Sequence, residues 1–227
     1  SRKYNFMNSF EKILQECVER VPAYAGSVRW AAHQKSLDKF HEQESKKGKI
    51  VYHASDNKIK LESADDTGFF VSVNPQFCVD FKKFSYIGNK DFGIHSVYFY
   101  KFYFKRPLNI FNPMSDKDIS EVINTLDESL KKTFEKKCLM IRKNNRFWQY
   151  IETPFIYVNV RNSKKFDGYV SFGGISHLTD ESSKKVRDLY YKIYNSFEEA
   201  NNFSLWEPQD VLEIVSEEKQ MLSIKDF

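Results

Sequence analysis

The stretch GFFVSVNPQFCVDF, residues 68–81, decides the predicted fold because its pattern changes from strand to helix in the middle. Its first half is dense in aromatic and β-branched side chains, which favours a strand over residues 67–73. Asn74 and Pro75 follow as a turn or a helix start. From Pro75 onward the apolar side chains recur at helical spacing: Phe77, Cys78, Phe81 and Phe84. The stretch therefore predicts a strand followed by a helix.

The rest of the chain alternates irregularly between these two patterns. Further strands are predicted over residues 49–55, 95–111, 147–162 and 167–174. Helices are predicted over residues 8–20, 27–47, 115–137 and 180–201, with a short helix and a tail after Trp206. Strands and helices in this uneven order are typical of an α+β domain with a mixed or antiparallel sheet, not of a βαβ ladder.

Length and composition suit one large domain. The chain has 227 residues, of which 41% are hydrophobic, and glycine and proline are scarce. We expect residues 1–48 to form a helical lead-in that packs on a domain spanning residues 49–227. The core of that domain is expected at residues 50–175, with a C-terminal helical extension at 176–227.

The cysteines and histidines argue against a metal site. Three cysteines lie far apart, and five histidines show no metal-ligand spacing. A reduced, cytoplasmic protein is the simplest interpretation. No apolar run approaches the roughly 18 residues of a membrane span, so no membrane partner is expected.

Three short motifs follow one another in a fixed order. Each is weak alone, because a strand-end histidine, an edge glutamate and an Asp-Gly turn are common structural features. Their order and spacing together make the signal. The motifs are Tyr52-His53-Ala54-Ser55; then Gly68 to Ser72 with Asn74-Pro75 and Phe81; then Trp148, Glu152 and Phe166-Asp167-Gly168.

With these motifs, the sequence resembles the ADP-ribosyltransferase superfamily, in its histidine-containing, diphtheria-toxin-like or PARP-like branch. The small bacterial and phage members are the most similar in pattern. The resemblance covers roughly residues 50–175. It implies a split β-sheet core flanked here by N-terminal and C-terminal helices, and NAD as the cofactor.

The resemblance also implies roles for the residues of the first two motifs. His53 would hydrogen-bond an NAD ribose and take part in catalysis. The backbone near Ala54 would hold the nicotinamide carboxamide, and Ser55 would support that turn. Phe70 and Ser72 would shape the nicotinamide pocket.

Two further roles are implied with alternatives. Phe81 would stack on the nicotinamide ring, unless Phe84 or Tyr86 does so. Glu152 would bond the 2′-hydroxyl of the nicotinamide ribose as the catalytic carboxylate, with Asp167 as its rival. The chemistry suits a carboxylate, because cleavage of the N-glycosidic bond passes through an oxocarbenium-like state that a nearby negative charge stabilises.

Charge is distributed unevenly although the net charge is only +4. Residues 131–165 hold ten Lys or Arg against two acids, whereas residues 207–227 hold six acids against two lysines. The plain interpretation is two solvated faces of opposite sign. The sharper one is a basic surface that attracts a polyanion and binds the acceptor substrate. Its expected substrate-binding residues are Arg142, Lys143 and Arg146.

Three hypotheses follow. The leading one is an NAD-dependent mono-ADP-ribosyltransferase that modifies RNA, DNA or protein, in a toxin, an anti-phage effector or a phage-encoded modifier. A cognate antitoxin is then a further candidate partner. The second is a nucleic-acid-binding module that uses the basic surface and its aromatic side chains. The third is a catalytically inactive protein that keeps the fold and binds a partner.

Overall fold

The computed structural model describes residues 45–65, 68–112, 115–143, 154–171 and 202–224, so the helices predicted before residue 45 and over 180–201 lie outside this part. Within it, the chain forms seven strands and five helices. The strands are β1 (Ile50–Ser55), β2 (Phe69–Ser72), β3 (Gly93–Phe104), β4 (Ile110–Phe111), β5 (Gly168–Ser171), β6 (Asn202–Leu205) and β7 (Leu212–Ile224). The helices are α1 (Pro75–Gly88), α2 (Asp116–Ile123), α3 (Glu128–Lys143), α4 (Pro154–Ser163) and α5 (Pro208–Val211).

The predicted strand-to-helix change at residues 68–81 is confirmed. Asn74 caps α1: its side-chain oxygen accepts hydrogen bonds from the backbone N–H groups of Gln76 and Phe77, at 3.0 and 3.4 Å. Pro75 opens the helix, where its missing N–H costs nothing. The cap joins β2 directly to α1, so the helix lies next to the strand that precedes it.

The strands form one mixed sheet in the order β4-β5-β6-β2-β1-β3-β7. Neighbouring strands in this sheet are antiparallel except for β4 and β5, which are parallel. The predicted α+β class with a mixed sheet is therefore confirmed.

Two predicted elements are wrong in type or length. Residues 154–163 form α4 rather than a strand, and their buried side chains, Ile156, Tyr157 and Val160, recur at helical spacing. The aromatic and β-branched residues of this segment favour a strand locally, but packing against α2 and α3 overrides that preference. The helix predicted over 115–137 is two helices, α2 and α3, separated by a turn at residues 124–127.

The C-terminal prediction needs a larger correction. Residues 202–224 are not a helical extension outside the core, because β6 and β7 belong to the sheet. β6 lies between β2 and β5 in the sheet interior, and β7 pairs with β3 along its whole length. The sequence of β7 resembles a polar tail because most of its side chains are exposed. Its partner strand, β3, lies over 100 residues earlier, so no local pattern indicates the pairing. The core therefore reaches residue 224.

The sheet has two different faces. The apolar face carries side chains such as Val51, Val71, Phe102, Phe203 and Leu205, which belong to the main hydrophobic core. Alternate residues of the same strands point to the opposite face, which α1 covers through contacts of Phe70 with Phe77 and Phe81. Burial of the apolar face is the main source of stability.

No helix among the described residues combines the length and the apolar character that a membrane crossing requires.

Candidate functional site

The face of the sheet under α1 carries an unusual set of side chains, which we call the polar face: Tyr52, Ala54, Phe70, Ser72, Asn202 and Ser204. Tyr52 of β1 is the register partner of Ser72 of β2, and Ser72 is the partner of Asn202 of β6. Phe70 is likewise the partner of Ser204. Register partners in antiparallel strands place their side chains on the same side, about 4.5–5.5 Å apart at Cβ.

The polar face is buried although its side chains are hydrophilic. Ser72 and Asn202 are 0% exposed and Ser204 is 3% exposed, while the alternate residues Val71 and Phe203 fill the main core. A polar side chain that is buried without a hydrogen-bond partner stabilises the fold less than an apolar side chain at the same position. These residues are therefore not explained by packing alone, which makes this face the candidate site.

Asn202 is the clearest case. Within the described part of the chain, neither its amide nitrogen nor its amide oxygen has a hydrogen-bond partner, and both atoms are inaccessible to solvent. Leaving a buried polar group unpaired costs about 1–3 kcal/mol. Asn202 was not expected from the motifs, because they end at Gly168. The signal that points to it is the alternation Asn-Phe-Ser-Leu at residues 202–205.

Ser72 is held in place by its neighbours. Its hydroxyl oxygen accepts a hydrogen bond from the backbone N–H of Asn74 at 3.0 Å. That bond fixes the last turn of backbone between β2 and α1. The row of Tyr52, Ser72 and Asn202 therefore ends at the point where α1 begins.

Three phenylalanine rings stand on the same side of the sheet as this row. The ring centroid of Phe70 lies 5.8 Å from that of Phe77 and 6.2 Å from that of Phe81, with the Phe70 and Phe81 planes 24° apart. Insertion of a further ring would need about 7 Å between planes at normal carbon contact distances. A planar ligand therefore fits on an outer face of Phe70 or Phe81, both of which are half-buried, and not between them.

The two other candidates for the stacking ring lie elsewhere. Phe84 is fully buried. Tyr86 donates a short hydrogen bond to Asp56 and stacks on His95, with ring centroids 3.9 Å apart. Lys82 also binds Asp56, at 2.9 Å. Of the three expected aromatic residues, the structure thus groups Phe81 with Phe70, and places Tyr86 in a separate polar cluster.

His53 alternates with Tyr52 and Ala54 along β1, so its side chain lies on the opposite side of the sheet, against Phe69. Its Nδ1 is 2.6 Å from the backbone oxygen of Phe70, and its ring is 4.6 Å from that of Phe69. Because a carbonyl only accepts, Nδ1 carries the proton and Nε2 is left as an acceptor. Burial, which the hydrogen bond to Phe70 only partly offsets, lowers the pKa of His53 to about 4. The ring is therefore neutral at pH 7.

Ala54 and Ser55 follow His53 at the end of β1. Ala54 is half-buried. The hydroxyl oxygen of Ser55 accepts a hydrogen bond from the backbone N–H of Asn57 at 3.3 Å, which supports the turn after the strand. Cys78 of α1 is not a nucleophile, because burial raises the pKa of its thiol to about 12.

Asp167 has a structural role. Arg106 donates two hydrogen bonds to its carboxylate, at 2.7 and 3.0 Å, and the backbone N–H of Asn109 donates a third at 2.8 Å. Both carboxylate oxygens are therefore engaged in joining the β3–β4 connection to the start of β5. The next residue, Gly168, meets β6 closely: a Cβ there would lie 2.0 Å from the backbone oxygen of Ser204.

The structure does not describe every predicted site residue. Glu152, Trp148 and Arg146 lie outside the described residues. Arg142 and Lys143 end α3, and their side chains are likewise outside what is described.

Phe134 and Cys138 of α3 pack into the main core. Lys132 and Lys136 of α3 are exposed.

Among the described residues, no three His, Cys, Asp or Glu side chains are grouped as a metal site. Comparison with protein-family models, curated proteins and solved structures finds no match for this chain.

Proposed function

We propose that the chain is an NAD-dependent mono-ADP-ribosyltransferase that modifies a macromolecule inside the cell. One observation carries the proposal: four residues expected to line an NAD site, Ala54, Phe70, Ser72 and Phe81, lie on one side of the sheet, the side that α1 covers. Three of them lie on a single buried sheet face, and the fourth comes from α1, which covers it. A site built from strands and a capped helix is rigid enough to orient a cofactor.

The residues fit the parts of NAD. The exposed sides of Phe70 and Phe81 suit a planar nicotinamide ring, whose stacking contributes about 0.5–1.5 kcal/mol beyond burial. His53 is neutral, but its ring lies on the other side of the sheet from Phe70 and Phe81, so it does not contact a ring that stacks on them. Backbone at Ala54, where β1 ends, is a candidate partner for the carboxamide.

The proposed reaction has two steps. The bond between nicotinamide and its ribose breaks, nicotinamide leaves with the bonding electrons, and a positive charge develops on the sugar. An acceptor nucleophile then bonds to the same carbon and loses its proton. Glu152 is the proposed carboxylate that stabilises the developing charge, and a basic surface that includes α3 is a candidate for binding an acidic acceptor.

A second candidate is NAD binding without cleavage. It is favoured by the chemistry of the polar face, where the fully buried polar side chain across from Ser72 is the neutral amide of Asn202. An amide cannot supply the negative charge that cleavage needs. Transfer therefore depends on Glu152 reaching the site.

The test compares Glu152→Gln with Glu135→Gln, a matched change on the exposed side of α3. Each variant is incubated with labelled NAD and lysate, and half of each sample is then treated with RNase or protease. We expect wild type and Glu135→Gln to transfer label, and Glu152→Gln to lose transfer while NAD binding persists. NAD binding by wild type without any transfer or hydrolysis would establish the second candidate.

A further inference from the structure

We propose that Asn202 is the anchor of the polar face: its amide recognises an uncharged ligand group that both donates and accepts hydrogen bonds, namely sugar hydroxyls or a carboxamide. The identification of that ligand as NAD rests on the proposed function. The role of Asn202 itself rests on its burial and on its unpaired amide.

The first step of the argument is that β6 does not require an amide at this position. Asn202 starts an interior strand whose alternate residues, Phe203 and Leu205, are fully buried in the main core. A β-branched or aliphatic side chain would fill the same space without an unpaired group. Within the described part of the chain, both amide atoms of Asn202 lack a partner. The amide is thus poised for a group that this part of the chain does not provide.

The second step concerns location. Asn202 is across from Ser72, whose hydroxyl oxygen already accepts from the backbone N–H of Asn74. Phe70 is two residues from Ser72 on the same face, beneath Phe81. Phe70 and Asn202 are therefore diagonal neighbours across β2 and β6, about 7–8 Å apart, which is within the span of one nucleoside that stacks on the ring.

The third step concerns charge. An amide offers one donor group and one acceptor, which match a pair of sugar hydroxyls or a second amide. A phosphate offers acceptors alone and would leave the amide oxygen unpaired. The row from Asn202 through Ser72 to Tyr52 is uncharged, and Lys101 of β3 continues it three strands away from Asn202. The buried side of α1 contributes an acid, Asp80. This environment favours a neutral group over an anion.

The test uses Asn202→Leu, with Asn162→Leu as a matched change at an exposed position of α4. Calorimetry on the full chain measures binding of NAD, ADP-ribose, nicotinamide and ADP, and urea unfolding measures stability. We expect Asn202→Leu to unfold at the same or higher urea concentration, because an unpaired buried group is removed. We expect its NAD affinity to fall at least about tenfold, and that of Asn162→Leu to stay unchanged.

The ligand panel separates the two sources of the recognised group. Loss of affinity for ADP-ribose with nicotinamide unaffected assigns Asn202 to sugar hydroxyls, and the reverse assigns it to the carboxamide. Equal NAD affinity in wild type and Asn202→Leu would overturn the proposal, as would a wild type that binds none of the four probes. If Asn202→Leu does not fold, Asn202→Thr is measured, and unchanged NAD affinity in that variant overturns the proposal equally.

Failure of this inference differs from failure of the proposed function. If the wild type binds NAD through Asn202 but neither transfers nor hydrolyses it, the proposed role of Asn202 stands and the proposed transferase activity is excluded. If the wild type and Asn202→Leu both transfer label with the same KM for NAD, the transferase activity stands and the proposed role of Asn202 is excluded.

Discussion

Asn202 is the register partner of Ser72, and both side chains are fully buried on the face of the sheet that α1 covers. The pairing joins a late segment of the chain to the strand that precedes α1. It places an unpaired amide on the same side of the sheet as Ala54 and Phe70, which the sequence motifs indicate as part of an NAD site. The described site is therefore built from strands that are far apart in the sequence: β1 and β2 come early in the chain, and β6 comes late.

Stability should depend on His53 between pH 6.5 and pH 4. The pKa of His53 is lowered from 6.5 to about 4 in the folded chain, so the unfolded chain binds more protons in that window. Stability then rises with pH through the window and is lost as pH falls, by up to about 3 kcal/mol from this group. Urea unfolding of wild type and His53→Gln at pH 7 and pH 5 measures it. An equal drop in both proteins would contradict the assignment.

Substitution of Phe81 should mainly weaken NAD binding, whereas substitution of Phe84 should mainly reduce the stability of the fold. Phe84 is fully buried, so Phe84→Ala should cost about 3–5 kcal/mol of unfolding free energy. Phe81 is half-buried beside Phe70, so Phe81→Ala should cost less stability. It should weaken NAD binding roughly 2- to 12-fold through lost stacking. Calorimetry and urea unfolding of the pair provide the two readouts, and unchanged NAD affinity in Phe81→Ala would exclude that ring as the stacking partner.

Asp167→Asn should reduce stability and leave chemistry intact. Its carboxylate accepts a two-pronged contact from Arg106 and a third bond from Asn109, so the neutral amide loses charge-assisted bonds worth about 1–3 kcal/mol in total. Single-turnover transfer of labelled NAD should stay within about twofold of wild type under folding conditions, a small free-energy difference. If Asp167→Asn abolishes transfer while Glu152→Gln retains it, the catalytic carboxylate is Asp167.

Gly168→Ala should be severely destabilising. A Cβ at this position would lie 2.0 Å from the backbone oxygen of Ser204, so β5 and β6 would have to separate. We expect a cost of about 3 kcal/mol or more. Gly48→Ala is the control, since its Cβ would meet nothing within 4 Å and only its positive φ of 80° is unfavourable, at about 1 kcal/mol. Similar midpoints of thermal unfolding for the two variants would contradict the close approach of β5 and β6.

A nucleic-acid acceptor predicts a specific salt dependence. Lys132 and Lys136 are exposed on α3. If they contact phosphates, Lys132→Ala and Lys136→Ala should each weaken RNA or DNA binding and lower the slope of log affinity against log salt by about 1. Fluorescence anisotropy with a labelled oligonucleotide at several salt concentrations measures the slope. Unchanged slopes in both variants would favour a protein acceptor.

Local patterns were sufficient where neighbours along the chain decide the structure. The strand at Ile50–Ser55, the strand at Phe69–Ser72 and α1 were all predicted, because alternation, capping by Asn74 and helical spacing are properties of short segments. Residues 154–163 were predicted wrongly for the opposite reason. Their β-favouring side chains are buried on a helix that packs against α2 and α3, and packing of that kind is not encoded locally.

The sequence by itself determined the mixed α+β class and indicated His53, Ala54, Phe70, Ser72 and Phe81 as one candidate site, of which His53 lies on the other side of the sheet from the rest. Tertiary structure decided that β6 and β7 belong to the sheet, that Asp167 is occupied by Arg106, and that Asn202 faces the same side as Ser72. The physical reason is that strand pairing is set by backbone hydrogen bonds and burial between distant segments. A four-residue strand such as Asn202–Leu205 shows its partner, and hence the face of its asparagine, only once the sheet has formed.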